Sequence, residues 1–220
     1  MKNSEVKKST SSNPDHASTL KKLFPIGKTL RPLFQTLAPE LEVDEDIVLK
    51  SINMDDARRI FDLVDANRKH LEAWLSWIQK LQSVKDSKSF IRAIRYKDVF
   101  AGRWVYGIYY QDQLVGMIDF NDGDRDLNQV AIGYWLSHDF QGKGIVTRAA
   151  RKCIDYLFKE KQVHRVLIKC ATDNYRSQAV ANRLNFNWEG IDRDAGTVNG
   201  KSVDMINYGI LYREWLAMNS

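Results

Sequence analysis

Cysteine is scarce: the 220 residues contain two, Cys153 and Cys170. They sit in separate regular segments with no metal-ligand spacing, which excludes a disulfide framework and a zinc knuckle and fits a reduced, cytoplasmic protein. The four histidines are scattered, so no metal site is expected. No run of 18 or more apolar residues occurs, and no membrane span is expected. The first residues, MKNSEVKKSTSSNPDHAST, lack the apolar core of a secretory signal. Proline is also sparse, at four residues, and Pro25, Pro32 and Pro39 break up the one basic amphipathic stretch.

Charge is unevenly placed. Residues 1–40 hold seven Lys and Arg against three Asp and Glu, so most of the net +5 belongs to this segment. Within it, Ile26, Leu30, Leu33, Phe34 and Leu37 recur at helical spacing among Lys21, Lys22, Lys28 and Arg31. The reading is a basic arm over 1–41, disordered at its start with a short helix. It either packs on its own domain or touches an RNA-rich partner or a membrane surface. A single α/β domain over 42–220 follows.

The patterning of that domain is regular. Residues 45–53 read as a strand, 55–70, 71–81 and 87–100 as helical pieces, and RWVYGIYYQDQLVGMIDF as a hairpin about Gln111-Asp112. Asn121-Asp122-Gly123-Asp124 reads as a closing turn. QVAIGYWLS (129–137) is nearly continuous apolar strand, 145–160 an amphipathic helix, and HRVLIKC (164–170) a second buried strand. Strand, crossover helix and strand in about 40 residues make a right-handed parallel unit. A helix over YRSQAVANRLNF and two strands about Asn199-Gly200 complete the chain.

The chemistry concentrates at Gln141-Gly142-Lys143-Gly144. Two glycines before a helix let backbone N–H groups approach an anion. The register fails for a phosphate-binding P-loop, and Thr147 stands where a dinucleotide fingerprint needs its third glycine. Gln141-Gly142-Lys143-Gly144-Ile145-Val146 resembles the Q/R-x-x-G-x-G/A loop of the GNAT family of N-acetyltransferases, with Val146 in place of the final Gly or Ala. GYWLSHDFQGKGIVTRAARKCIDYLF, HRVLIKCATDNYRSQAVANRLNFNWEG and NRKHLEAWLSWIQKLQSVKDSKSFI resemble its ribosomal-protein serine/alanine N-terminal acetyltransferases, the RimJ/RimL type. The resemblance runs over about residues 47–215.

It implies a GNAT fold: a mixed, mostly antiparallel sheet with a central splayed parallel pair, flanked by helices. It implies acetyl-CoA as co-substrate, its pyrophosphate on Gln141, Gly142, Lys143, Gly144, Ile145, Val146 and Thr147. Pantetheine would run along Tyr134, Trp135 and Leu136 and touch Asn174. Ser177 would donate to the leaving thiolate, and Trp74 and Trp77 would line an acceptor groove. Two carboxylates of the pattern are missing, at Ala131 and at Ala195-Gly196, which leaves Asp119 as the candidate base, with Asp192 and Asp194 behind it. No Ser–His–Asp set is present or required, since direct attack in a ternary complex works by positioning.

The acceptor implied is a primary amine, a protein N-terminus and by resemblance a ribosomal protein's, with ribosome contact through the arm and a monomeric or homodimeric state. Two alternatives stay open: a small-molecule amine such as a polyamine or aminoglycoside, and a non-catalytic acyl-CoA-binding or ribosome-docking module.

Overall fold

A computed structural model describes residues 38–101, 104–124 and 126–219. The arm read over 1–41 lies outside these as far as residue 37. Short β1 (Leu41–Glu42) pairs antiparallel with β2 (Ile47–Ser51), which in turn pairs with β3 (Trp104–Tyr110). Gln111 and Asp112 both take positive φ, 48° and 61°, the two-residue turn whose twist suits a hairpin. They lead into β4 (Gln113–Asp124).

The turn expected at 121–124 falls later. β4 keeps pairing to Asp124, with a register shift after Asn121. The Asp124 carboxylate then accepts from the N–H groups of Asp126 and Leu127, and Asn128 takes φ 48°. The side-chain acceptor that organises the reversal is the last residue of the expected turn rather than its first.

β5 (Gln129–Leu136) and β6 (Arg165–Ala171) are the parallel pair, joined by α4 (Ile145–Lys159), counted after three earlier helices. Their pairing covers only Gln129–Ala131 against Arg165–Leu167. Beyond that, β5 stays on β4 and β6 stays on β8 (Lys201–Leu211), so the two strands part. β7 (Asn187–Val198) pairs with β8 through Asn199-Gly200, at φ 51° and 73°, giving the order β1-β2-β3-β4-β5-β6-β8-β7. The expectation that 129–137 is buried on both faces holds for Val130–Ile132. Gly133, Tyr134 and Trp135 are only half-buried, because the strand has lost its neighbour there.

The three earlier helices are α1 (Ala57–Ala66), α2 (Arg68–Glu72) and α3 (Val84–Ala101). Asn53 and Asp56 form a capping box ahead of α1. The helix expected over 55–70 breaks at Asn67, φ −114° and ψ 9°. The Asn67 amide ties that break to the end of β5, accepting from Ser137 Oγ at 3.2 Å and from the His138 N–H at 2.8 Å. The piece expected over 71–81 leaves the α conformation after Glu72 and becomes a 3₁₀ turn at Ser76–Lys80. Ile60, Val64, Leu71, Ile78 and Ile91 pack with Val105, Tyr109 and Met117 of the sheet as one core. The other face carries Trp104 against Phe120 and Tyr156 of α4. α5 (Tyr175–Arg183) and α6 (Tyr212–Asn219) follow β6 and β8.

Gly116 sits where β4 meets the open end of β5. A Cβ there would lie 2.3 Å from the Trp135 carbonyl oxygen and 3.0 Å from Leu136 Cα. Backbone cannot yield as a side chain can, so Gly116→Ala is expected to cost about 2–3 kcal/mol, read as a lower urea midpoint at unchanged slope.

Candidate active site

The parting of β5 and β6 opens a cleft of ≈ 1160 Å³ that passes through the sheet. Strand alternation assigns its two mouths. Trp135 packs on the core beneath α1–α3, so the odd residues of β5 face that way. In-register pairing puts Lys169 and Ala171 of β6, and Met205 of β8, on the same face. Tyr134 and Cys170 face the opposite way, towards α4 and α5.

On the α4 side the chain turns through Gly142 and Gly144, φ 76° and 71°, where a Cβ would meet nothing within 4 Å. The glycines serve the backbone conformation rather than space. Val146 is already inside the helix, so its side chain conflicts with no backbone requirement. Gly144 caps α4 without any side-chain bond, which leaves the N–H groups of Ile145, Val146 and Thr147 without a capping side chain at the cleft wall. These N–H groups and the positive end of a 15-residue helix suit a phosphate. Lys143 does not join them. Its ammonium lies 4.8 Å from the Phe140 ring and 5.7 Å from the Tyr110 ring, turned off the cleft. The cation–π seat holds it there.

Deeper in the seam, Tyr134 Oη lies 3.0 Å from Ser177 Oγ and 3.2 Å from the Ser177 carbonyl oxygen. Burial pushes the Tyr134 phenol well above its ordinary range, so it stays protonated. Asn174 caps α5, its Oδ1 accepting the Ser177 N–H at 3.2 Å. Burial also raises the Cys170 thiol, and a bond to Ser177 offsets this in part. Cys153 is fully buried in α4, away from the cleft. The seam thus brings hydroxyl, phenol and thiol together at one point.

Other expected site residues separate. Trp74 lines the cleft, whereas Trp77 stacks on Phe90 at 5.2 Å and packs against the α1–α3 core. The i, i+3 spacing would align them only on a continuous helix, and the extended Leu75, at φ −124° and ψ 95°, breaks it between them. Asp119 stands opposite Gly133, whose missing side chain leaves room for the carboxylate to fold over it. It accepts from Asn121 Nδ2 at 2.9 Å and is not among the residues lining the cleft. Asp192 and Asp194 lie on exposed β7, also off the cleft.

Among the described residues, no Asp or Glu lines the cleft at all. Arg148, Lys169, Arg176 and Arg183 do, with His70 and His138. None of these six was singled out from the sequence, and three of them are held by partners distant in the chain. Arg148 is anchored by Asp44 at 2.7 Å. Arg176 bonds Gln141 Oε1, and His70 bonds Gln141 Nε2 at 2.7 Å.

A strand-splayed sheet with this loop at the mouth of its seam is the arrangement the resemblance implied, and the acetyltransferase (GNAT) domain family matches residues 46–187. The chain belongs to the GNAT acetyltransferases. It is 34% identical over 184 residues to YdaF of Bacillus subtilis (strain 168), a protein named provisionally as a ribosomal N-acetyltransferase. That match covers 79% of this chain and 96% of YdaF. A solved RimL structure, a ribosomal L7/L12 α-N-protein acetyltransferase with coenzyme A in disulfide link to a cysteine, superposes with TM-score 0.75 at 26% identity. It covers 79% of this chain and 98% of its own. The microcin C7 self-immunity acetyltransferase MccE, solved with acetyl-CoA and AMP, gives TM-score 0.74 at 30% identity over 81% of this chain and 99% of its own. This GNAT chain is thus an acetyltransferase, with a mixed sheet antiparallel except at β5 and β6.

Proposed function

We propose that the protein transfers acetyl from acetyl-CoA to a protein N-terminal α-amine, of a ribosomal protein by likeness to RimL. The observation that carries this is the lining of the cleft: several cations and no carboxylate among the described residues. A polyamine or aminoglycoside would bring positive charge into a positive site. An α-amine, with an ordinary pKa of about 7.7–8.0, is partly neutral without a base. A lysine amine near 10.4 is poorer in the neutral form by about 300-fold at the same pH. Neighbouring cations lower an amine's pKa further and favour the species that attacks.

Acetyl-CoA supplies the activated acetyl group as a thioester. The N–H groups of Ile145–Thr147 hold pyrophosphate oxygens, with Arg176 beside them, and the β5 edge from Tyr134 to Leu136, apart from the Leu136 carbonyl that His70 takes, offers main-chain partners to pantetheine amides. With a thioester in the cleft, the single Tyr134 proton turns from the Ser177 carbonyl oxygen to Ser177 Oγ, which frees the Ser177 proton to point at the departing sulfur. A hydroxyl so placed gives its proton to sulfur while accepting one from the acylated nitrogen. Neither the hydroxyl nor the buried phenol is acidic enough to act alone. Cys170 is the cysteine lining the cleft, in keeping with the coenzyme A–cysteine disulfide of RimL. The acceptor enters from the Trp74 face, past Lys169 and the β7–β8 hairpin.

The same lining favours a second reading, a small amine carrying a phosphate, to which likeness to the AMP-bound MccE adds support. The basic arm, cytoplasmic residence and ribosome contact belong to the first reading.

Thiol release from acetyl-CoA with a panel of acceptors separates the readings. Turnover with Ser- or Ala-starting peptides, absent when the α-amine is blocked, is the expected result. Turnover only with aminoacyl-phosphate compounds would replace the first reading by the second. Turnover only with polyamines would overturn both. Coenzyme binding without turnover on any acceptor would leave a docking module.

A further inference from the structure

Four groups from four elements meet at the mouth of the coenzyme cleft: His70 of α2, His138 after β5, Gln141 of the glycine loop and Arg176 of α5. Their hydrogen bonds have one permitted direction. A guanidinium only donates, so Arg176 must face the Gln141 carbonyl oxygen, as it does. The Gln141 amide therefore points its NH₂ at His70 Nε2, 2.7 Å away, and that nitrogen must accept. The ring is also bonded to the Leu136 main chain in the sense that favours a ring proton. With Nε2 accepting, the proton sits on Nδ1. The chain of bonds runs Arg176 to Gln141 to His70 to Leu136 and joins both sides of the parted strands.

We propose that His70 is a positioning residue for the coenzyme site: through Gln141 it holds the Arg176 guanidinium across the mouth of the seam, and it does so only while Nε2 carries no proton. A second ring proton would set two donors face to face and release Gln141. This rests on the reading of the cleft as a coenzyme A site.

The charges around the ring agree. His138 lies edge-on at 5.8 Å, and Arg176 stands beyond Gln141. On α2 itself Arg68 pairs with Glu72 at 3.5 Å, and Lys69 is adjacent in the chain. Arg148 of α4 lines the same cleft with Asp44 as its partner. From the β7–β8 hairpin come only Gly196, Thr197, Val198 and Met205. Among the described residues no cleft-lining carboxylate faces the imidazole to retain a second proton. Burial first, then His138 and Arg176, hold its pKa below the ordinary 6.5, so the accepting form prevails at neutral pH and is lost as pH falls below that range.

The test is calorimetric titration with free coenzyme A from pH 7.5 to 5.0, on the full chain and on His70→Gln. The glutamine places an amide oxygen where Nε2 was, an acceptor that does not titrate. Protonation of the coenzyme's own phosphates affects both proteins alike and cancels in the comparison. Across that range the native protein is expected to lose about tenfold more affinity than His70→Gln, the worth of one hydrogen bond involving a charged group. Parallel curves overturn the proposal. A native protein that tightens on acidification relative to His70→Gln also overturns it, and makes His70 a direct charge on phosphate. A native protein that binds no coenzyme A at pH 7.5 overturns the coenzyme reading as well. Imidazole nitrogen NMR of the native chain gives an independent reading: protonated Nδ1 with bare Nε2 at pH 7.5 is expected, and the opposite tautomer refutes the relay.

Discussion

Gly144→Glu is expected to weaken coenzyme A binding by about 10²–10³-fold and to leave the fold standing. A Cβ there meets no atom within 4 Å, so the side chain has open space to leave the backbone. The cost to the fold is the left-handed conformation, φ 71°, at roughly 1–2 kcal/mol for a non-glycine residue. A carboxylate at the start of α4 recovers part of this through the helix dipole. A loss of only a few degrees in Tm is expected for a domain of this size. Binding responds very differently. The new carboxylate stands beside the N–H groups proposed to hold pyrophosphate. A like charge about 5 Å away at an effective dielectric near 20 costs roughly 3 kcal/mol, a factor of about 10²–10³ in affinity. Gly144→Ala separates the two effects, since it carries the strain without the charge and should weaken binding only a few-fold. Titration calorimetry and a melting curve on both variants check this. Equal losses for Ala and Glu would mean that backbone shape, not anion contact, is what the loop provides.

That loop was legible in the sequence because its requirement is local. Two positive φ values six and eight residues past a strand end, followed by a helix, leave a mark in two glycines separated by one residue. The same holds for the Asn199-Gly200 hairpin. The parallel pair was legible too, through two apolar strands with a helix between. What the sequence hid is contact at long range. His70 lies 71 residues from Gln141, and Asn67 is 71 residues from His138. No periodicity within α2 shows either partner. Trp74 and Trp77 read as one face because helical spacing was assumed through Glu72, where the helix stops. Asp119 read as a strand-end carboxylate close to the chemistry, but the β4–β5 register lays it over Gly133.

Ser177→Ala is expected to lower kcat by about 10²–10³ while the acetyl-CoA KM stays within about twofold. The prediction is sharp because the structure isolates the hydroxyl from its structural neighbours. The cap of α5 uses the Ser177 backbone N–H, which alanine keeps. Tyr134 loses one partner but still has the Ser177 carbonyl oxygen at 3.2 Å, so no buried phenol is orphaned. Stability should therefore fall by less than about 1 kcal/mol. Tyr134→Phe, which removes the donor behind Ser177 and not the donor itself, should cost less in kcat than Ser177→Ala. If both hydroxyls act through one relay, the double variant is no slower than Ser177→Ala alone. Losses that multiply would mean two separate tasks in the seam. A kcat left intact by Ser177→Ala would mean that the sulfur departs without help from α5 and takes its proton from water.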